Sequence, residues 1–203
     1  MFDNIETFNH WLFLLINSSS YPETVSLIIV KFFAELPMFL ISLCLLTLWF
    51  RDRCARSVAL NAGVTATLAL LVNYIISLIW FHNRPFVDHI GLTLINHAAD
   101  SSFPSDHITL FASVGFYLFY EKSFRKLGVA LLALSLTTGW ARIFVGVHYP
   151  IDILGAYAIS GILSLIYHRY LCGLFSSIIN VMLYISDYIL VRLSRLKISF
   201  LNM

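Results

Sequence analysis

Long apolar stretches, separated by short polar segments, make up most of the chain. They run approximately over residues 24–50, 57–81, 105–120, 127–145 and 151–170. About 20 helical residues cross the hydrocarbon core of a bilayer, so every stretch except the third is long enough for a transmembrane helix. The third is short, and we expect it to gain a turn or to tilt. The pattern therefore predicts an all-α polytopic membrane bundle of about five to six transmembrane helices.

The two ends of the chain show weaker patterns. In residues 1–20, polar side chains alternate with apolar residues at helical spacing, namely Phe2, Ile5, Phe8 and Leu12. This pattern predicts an N-terminal amphipathic helix that lies on the membrane. The tail at 173–203 is apolar but also contains Asn180, Asp187, Arg192 and Arg195. It fits a second surface helix or a sixth span, and we favour the surface helix.

Composition supports the membrane interpretation. Of the 203 residues, 59% are hydrophobic and only 12% are charged, about half the charged share of a soluble domain. A soluble fold is therefore excluded. A net charge of +2 without a concentrated basic face also argues against a nucleic-acid partner. No repeat or linker divides the chain, so we expect one membrane-embedded domain over 1–203 with its core at 24–170.

The distribution of basic residues predicts the orientation. Most of the 13 Lys and Arg residues lie in the loops at 51–56 and 122–126 and in the segment from 169 onward. Basic loops remain in the cytoplasm. The loops at 82–104 and 142–150 are therefore predicted to face outward, and together with His107, just after the first loop, they contain five of the seven histidines. Ionisable groups at a membrane edge are costly and indicate function.

His148 and Asp152 lie four residues apart at the start of the last predicted span, where Pro150 fits the first helical turn. Residues at this spacing share a helix face, so the carboxylate can accept a hydrogen bond from one imidazole nitrogen. The other nitrogen then remains unprotonated and nucleophilic. The alternative is a capping pair that only stabilises the helix end.

The segment Ser105-Asp106-His107 has the pattern of a helix start, with Ser105 as the N-cap. Free N–H groups at a helix N-terminus bind phosphate, and His107 can donate a proton to a leaving group. The alternative is an ordinary capped helix with a surface histidine.

Arg84 and Arg142 can bind phosphate oxygens with their guanidinium forks. The alternative for each is an interfacial anchor that reaches toward lipid head groups. Two arginines, two histidines, a serine and an aspartate on one membrane face nevertheless match the needs of phosphoryl transfer through a covalent histidine intermediate.

Three segments together resemble the signature of the type 2 phosphatidic acid phosphatase superfamily, which also includes vanadium haloperoxidases and bacterial acid phosphatases. They are Arg84-Pro85, Pro104-Ser105-Asp106-His107, and Arg142 followed by His148 and Asp152. Within that superfamily, the run from His97 to His107, preceded by Arg84-Pro85-Phe86-Val87, is similar to the bacitracin-resistance type of undecaprenyl pyrophosphate phosphatase.

The resemblance implies a role for each site residue. His148 would attack the terminal phosphorus and form a phosphohistidine, oriented by Asp152, while His107 would protonate the leaving group. Arg84, Ser105 and Arg142 would hold the phosphoryl oxygens. No metal or cofactor is implied.

The resemblance also implies a substrate and a location. The substrate would be a polyprenyl pyrophosphate lipid, converted to undecaprenyl phosphate so that the carrier is recycled for cell-wall synthesis, with bacitracin resistance as a consequence. The location would be a bacterial cytoplasmic (inner) membrane, with the site facing the periplasm or exterior.

Three positions depart from the superfamily pattern. Ser77 stands where the signature has Lys, Asp106 where it has Gly, and Ala141 where it has Ser. A phosphate contact is therefore missing or comes from another group. His82 and His97 are candidate head-group contacts, and Asn73 is a third polar candidate.

Other functions remain open from sequence alone. A broader lipid phosphate phosphatase, acting on phosphatidic acid or phosphatidylglycerol phosphate, and a lipid phosphotransferase would use the same residues. A haloperoxidase would share the anion pocket, but the membrane setting argues against it. A transporter would distribute charges through the bilayer, whereas only Lys31 and Glu35 lie inside a predicted span, at a spacing that would let them neutralise each other.

Overall fold

The computed structural model describes residues 2–201, with side chains described at 4–35 and 39–192. In this part of the chain all regular structure is helical. The elements are α1 (Phe2–Ile16), α2 (Thr24–Arg51), α3 (Arg53–Ile79), α4 (Asp106–Tyr120), α5 (Arg125–Phe144), α6 (Pro150–Ile166) and α7 (Cys172–Leu201). A short 3₁₀ turn (Lys122–Phe124) precedes α5, and a π-helical turn (Tyr167–Leu171) joins α6 to α7. The five predicted apolar stretches correspond to α2 through α6.

The helix starts follow local sequence signals. Asp52 caps α3 by accepting a hydrogen bond from the Ala55 backbone N–H at 2.8 Å. Pro150 occupies the first position of α6, where its missing N–H costs nothing. In the same turn, Asp152 accepts a hydrogen bond from the backbone N–H of Tyr149 at 2.7 Å. The start of α6 is therefore fixed by one of the residues predicted to carry chemistry.

Helix α4 lies at the centre and packs against α3, α5 and α6. Small residues bring the helices close together. A Cβ atom at Gly128 of α5 would collide with backbone atoms of Gly115 and Leu118 in α4, so glycine sets the separation of these two helices. One apolar core joins α2, α3 and α4, and a second joins α1, α4 and α6.

The helices differ in whether they are long and apolar enough to span a membrane. Among the described residues, Arg53–Ile79, Lys122–Phe144 and Pro150–Arg192 are long and apolar enough, and α2 qualifies if its halves, Thr24–Glu35 and Phe39–Arg51, count as one span bent by 49°. This count of three or four is below the predicted five or six. The difference arises because α4 has only 15 residues and because α6 and α7 count as one long helix.

The N-terminal helix predicted from sequence is present, and one of its faces packs on the protein. Phe8, Trp11 and Leu15 are exposed, whereas Asn9, Phe13 and Asn17 are buried. The amide of Asn17 donates to the carbonyl oxygens of Leu92 at 2.9 Å and Phe144 at 3.0 Å, and its oxygen accepts from the Leu92 N–H at 2.7 Å. Polar contacts therefore attach α1 to the loops that carry the candidate site.

Helix α7 packs against the first part of α3. Cys172 lies 3.6 Å from the side-chain oxygen of Asn61, and Asp187 pairs with Arg56. Because α7 continues from α6 through the π-helical turn, it forms part of the long apolar helix Pro150–Arg192, and the favoured surface helix stays a prediction. The side chain of Arg195, part of the predicted basic tail, lies outside the described residues.

Candidate active site

Four chain segments converge at one end of the bundle. They are the loop after α3, the start of α4, the end of α5 and the start of α6, which contribute Arg84, Ser105, Arg142 and His148 in that order. The turn between α5 and α6 is tight. Gly146 adopts a φ of 82° there, and a Cβ atom would collide with the Leu92 backbone, so glycine is required. The short turn brings His148 back to Arg142.

The Nε2 atom of His148 is surrounded by donors. It lies 3.3 Å from Nη1 of Arg84, 3.3 Å from Nη2 of Arg142 and 3.2 Å from Oγ of Ser105. The histidine is 1% exposed, and the arginines are 5% and 2% exposed. Two buried cations and a hydroxyl beside one ring nitrogen form a site that matches a phosphoryl group. Both guanidinium groups are buried, whereas the interfacial-anchor alternative would have them reach toward lipid head groups.

The other nitrogen of His148 faces Asp152. Nδ1 of the imidazole lies 3.4 Å from Oδ2 of this fully buried carboxylate. The same oxygen accepts hydrogen bonds from the Tyr149 backbone and from the Ser102 hydroxyl, and the hydroxyl lies 3.4 Å from Nδ1. Asp152 thus accepts from the first turn of the helix and also faces the imidazole, a geometry that both alternatives drawn from sequence allow.

Burial lowers the pKa of His148 well below its usual value, and the nearby Arg142 and Arg84 lower it further, while Asp152 acts in the opposite direction. The imidazole is therefore neutral near pH 7. A neutral imidazole whose Nδ1–H faces a carboxylate has its lone pair on Nε2. That lone pair lies among the three donors, where an electrophilic phosphorus would be held.

The two arginines are held differently. Arg84 donates to Oδ1 of Asp100 at 2.8 Å, to the carbonyl oxygen of Val147 at 2.9 Å and to that of Ser101 at 3.3 Å. Arg142 contacts Nε2 of His97 at 3.1 Å. Its Nε is buried and has no hydrogen-bond partner among the described residues. Arg84 therefore also fastens the loop, whereas Arg142 retains a free donor for a ligand.

The start of α4 is at Asp106, with Ser105 at the N-cap as predicted. The Ser105 side chain, however, makes no capping hydrogen bond, because its hydroxyl faces His148. The cap hydroxyl and the first helical N–H groups are thus directed to the same site. His107 follows one residue into the helix and is half-buried.

His107 lies between two cavities. One, of about 570 Å³, is lined by His107, His97, Arg142 and Glu35. The other, of about 560 Å³, includes Ser77 and Asp106 in its lining. A proton donor at this position can serve a leaving group that extends from His148 into either cavity.

The polar candidates for the missing lysine contact differ in position. Ser77 donates its hydroxyl to the Tyr74 carbonyl of its own helix at 2.8 Å. Asn73 donates to Asp106 at 2.9 Å and to Thr109 at 2.8 Å, which ties α3 to α4. Of His82, His97 and Asn73, His97 is the one that contacts an arginine of the site, Arg142, at 3.1 Å.

His82 lies elsewhere. Its ring contacts Asp152 and Glu6, on the carboxylate side of the site, and it makes no contact with Nε2 of His148. The predicted head-group role of His82 therefore does not match its position. Sequence reasoning also missed Ser102 and Glu6, which reach the site only through the folding of the loop before α4 and the docking of α1.

Lys31 and Glu35 do not form the mutual ion pair expected from their spacing. Neither is a partner of the other among the described ion pairs, and Glu35 instead lines the cavity that contains Arg142 and His97. Residues four apart on a helix are neighbours, but this spacing does not determine the direction in which their side chains point. Glu35 faces the arginine because α2 packs against α5.

Comparison with known proteins identifies the family. The model of the PAP2 superfamily matches residues 58–174, a range that includes every residue placed around His148 from Arg84 to Asp152. The chain belongs to the PAP2 superfamily. Among the residues that the structure describes, no group of three or more His, Cys, Asp or Glu residues is arranged to hold a metal ion.

Curated relatives share most of their length with the chain. Undecaprenyl-diphosphatase BcrC of Bacillus subtilis is 38% identical over 163 residues, which cover 80% of this chain and 83% of the relative. Putative undecaprenyl-diphosphatase YbjG of Escherichia coli is 34% identical over 155 residues, covering 74% and 76%. Both alignments are thus longer than the region 58–174 that the PAP2 model matches.

A solved structure shows the same fold. The crystal structure of LpxE from Aquifex aeolicus has a TM-score of 0.68 and 22% identity, and the match covers 80% of this chain and 96% of that one. The helical fold of the chain is therefore shared with LpxE.

Proposed function

We propose that the protein hydrolyses undecaprenyl pyrophosphate to undecaprenyl phosphate and inorganic phosphate, through a phosphohistidine formed on His148. The observation that carries the proposal is the position of Nε2 of His148, within 3.3 Å of donors from Arg84, Arg142 and Ser105. These donors match the oxygens of a phosphoryl group, whose negative charge they would stabilise during transfer.

The reaction has two displacement steps. In the first, the Nε2 lone pair forms a bond to the terminal phosphorus while the bond to the bridging oxygen breaks. The negative charge of the bound pyrophosphate offsets the nearby arginines and favours a protonated His107. His107 then gives its proton to that oxygen, which leaves as undecaprenyl phosphate. Asp152 stabilises the positive charge that develops on the imidazole, because it accepts from the Nδ1–H.

In the second step, water attacks the phosphorus of the phosphohistidine and the nitrogen–phosphorus bond breaks. His107, now neutral, takes a proton from the water, and inorganic phosphate leaves. His148 and His107 return to their starting states, so the cycle is complete without another reactant.

The shape of the cavities supports a lipid substrate. Ser42 lines both the polar cavity that holds His107 and Arg142 and an apolar cavity of about 620 Å³ between α2, α3 and α7. The apolar cavity is lined by aliphatic and aromatic side chains, including Leu45, Trp49, Val64, Phe175 and Met182. A pyrophosphate group in the first cavity can therefore extend its hydrocarbon chain along the second.

The relatives support the identity of the lipid, since two of them carry the name undecaprenyl-diphosphatase. The distribution of basic loops supports an outward-facing site in a bacterial cytoplasmic membrane. At that face the enzyme would recycle the carrier lipid for cell-wall synthesis and confer resistance to bacitracin.

A phosphate-release assay tests the proposal. The purified protein in detergent, with chelator present, is expected to release phosphate from undecaprenyl pyrophosphate faster than from phosphatidic acid. His148→Ala is expected to abolish release, whereas His168→Ala, at the opposite end of α6, is the matched control and retains it. Activity in His148→Ala would disprove the histidine nucleophile. A faster rate on phosphatidic acid would instead assign a broader lipid phosphatase.

Labelling of cysteines tests the orientation. The native Cys54 is exposed at the start of α3, in the loop assigned to the cytoplasm. A membrane-impermeant maleimide should label it only after the cells are permeabilised. A cysteine introduced at Asp88, an exposed position in the loop that carries Arg84, should react in intact cells, and the reverse pattern would place the site in the cytoplasm.

A further inference from the structure

We propose that His82 and Glu6 are positioning residues for the nucleophile, forming a chain from Glu6 through His82 to Asp152 and then to His148. The proposal rests on the proposed phosphohistidine chemistry and adds two residues that no motif of the sequence contains. Its first support is geometric. Nδ1 of His82 lies 3.3 Å from Oδ1 of Asp152, and Nε2 of His82 lies 3.3 Å from Oε1 of Glu6.

The two oxygens of Asp152 have different partners. Oδ2 faces His148, Ser102 and the Tyr149 backbone. Oδ1 of Asp152 and Nδ1 of His82 are both buried and lie 3.3 Å apart, and neither atom has a hydrogen-bond partner of good geometry among the described residues. A buried carboxylate oxygen without a partner is costly. His82 is therefore the group that can satisfy the second oxygen of Asp152.

The His82 ring is held in place on several sides. It lies 5.6 Å from the Trp80 ring and 5.4 Å from the Tyr149 ring, measured between centroids. Its backbone carbonyl accepts from the Ser102 N–H at 2.7 Å, and its backbone N–H contacts the Ser101 hydroxyl at 3.3 Å. The same segment thus positions Ser102 and His82 on the two oxygens of Asp152.

The charge of His82 is what would make this series of residues, from Glu6 to His148, matter for the reaction. Asp152 is fully buried, and the arginines of the site face the opposite nitrogen of His148, where the phosphoryl group would bind. Burial lowers the pKa of His82, but Asp152 and Glu6 together raise it above its usual value. His82 therefore keeps its proton to a higher pH than a free histidine does, and when protonated this cation between two carboxylates offsets part of the Asp152 charge.

The cation limits the effect of Asp152 on His148. A carboxylate next to an imidazole raises the pKa of the imidazole. When His82 neutralises part of that carboxylate, His148 stays neutral at lower pH and its nucleophilic lone pair remains available. The chain thus fixes both the position of Asp152 and the pH at which His148 becomes protonated.

Five charged or titratable groups bear on this arrangement. Besides Glu6 and Asp152, they are His10 of α1, which lies 3.1 Å from Glu6, Tyr149, whose ring packs on His82, and Asp88, which accepts from the Tyr149 hydroxyl at 3.0 Å. Burial raises the pKa of Tyr149, so this residue stays neutral over the range in which His82 titrates.

Variants of the chain provide the test. His82→Asn keeps a donor near Oδ1 of Asp152 but cannot carry a charge, His82→Gln is a second neutral variant with a different reach, and Glu6→Gln removes the outer carboxylate. His10→Gln is the matched control, because His10 contacts Glu6 but not Asp152. Rates of phosphate release are measured from pH 3 to 9 with both undecaprenyl pyrophosphate and phosphatidic acid.

Both His82 variants should lower kcat by about tenfold and leave KM within a factor of about two, because the phosphate donors are unchanged. The acid limb of the rate profile should move to higher pH, since the unscreened Asp152 raises the pKa of His148. Glu6→Gln should move it in the same direction by less. His10→Gln should match the wild type.

Wild-type kcat and an unshifted acid limb in both His82 variants would overturn the proposal. So would equal losses in those variants and in His10→Gln, because the role would then be packing alone. The substrate proposal can fail separately from this one. If the wild type hydrolyses phosphatidic acid and not undecaprenyl pyrophosphate, the acid limbs of the wild type and the His82 variants can still be compared on phosphatidic acid.

Discussion

Nδ1 of His148 and Oδ2 of Asp152 lie 3.4 Å apart across the first turn of α6. The carboxylate therefore fixes which imidazole nitrogen keeps its proton. Asp152→Asn should lower kcat by about 10²- to 10⁴-fold, because an amide at this place favours the wrong tautomer. Ser102→Ala is the control, since it removes a contact to the same oxygen without removing its charge, and it should cost far less. Comparable losses in the two variants would argue against a tautomer role.

The low pKa of His148 predicts a pH dependence of stability. The unfolded chain binds a proton on this histidine below pH about 6.5, whereas the folded protein does not until the pH reaches the lowered value. Stability should therefore fall as the pH drops below 6.5, by about 1.4 kcal/mol for each pH unit.

Thermal unfolding midpoints measured between pH 7.5 and 5 test this expectation. The wild type should lose more stability over this range than His148→Asn, in which the titrating group is absent. His168→Asn, at the far end of α6, should behave as the wild type does. Parallel curves for the wild type and His148→Asn would contradict a depressed pKa.

The two arginines should respond differently to lysine. Lysine cannot reproduce the forked geometry of either guanidinium, so Arg84→Lys and Arg142→Lys should each reduce kcat/KM by about a hundredfold. Arg84 also fastens the Val147 and Ser101 carbonyls, so only Arg84→Lys should lower the unfolding temperature clearly. Equal destabilisation by both variants would show that Arg142 has a structural role as well.

Glu35 lines the polar cavity beside Arg142, where it opposes the binding of an anion. Glu35→Gln should lower KM for a pyrophosphate substrate, because it removes a repulsive charge. The effect should shrink at high salt. Glu23→Gln, an exposed position at the start of the same helix, is the matched control. A raised KM in Glu35→Gln would indicate that Glu35 contributes to binding instead of opposing it.

Much of the site was predictable because its residues belong to local patterns. The spacing of His148 and Asp152, and the helix start at Ser105, follow from helical geometry and capping preferences. The apolar stretches likewise gave α2 through α6. Each of these features is determined by residues that are close in sequence, so the sequence alone is sufficient to predict it.

The remaining features depend on contacts distant in sequence. Ser102 reaches Asp152 across 50 residues, and Glu6 reaches His82 across 76. The direction of the Glu35 side chain depends on how α2 packs against α5, and the pattern of apolar positions in the sequence does not show this packing. Apolar length likewise does not show that α6 and α7 join through a π turn, so the sequence alone does not reveal that they form one long helix.

Gly63 offers a direct test of the proposed path for the lipid chain. It lines the apolar cavity, and a Cβ atom there would meet nothing within 4 Å. Gly63→Phe should therefore fold normally and fill part of the cavity. It should raise KM for undecaprenyl pyrophosphate by roughly tenfold, equivalent to losing the burial of about two methylene groups.

The same variant should leave KM for geranyl pyrophosphate unchanged, because a short chain does not extend from the polar cavity into the apolar one. Gly173→Phe is the matched control: a Cβ atom at Gly173 also meets nothing within 4 Å, but this residue does not line the cavity. If both glycine variants raise KM equally, or if the short substrate is affected as strongly as the long one, the hydrocarbon chain does not follow the groove between α2, α3 and α7.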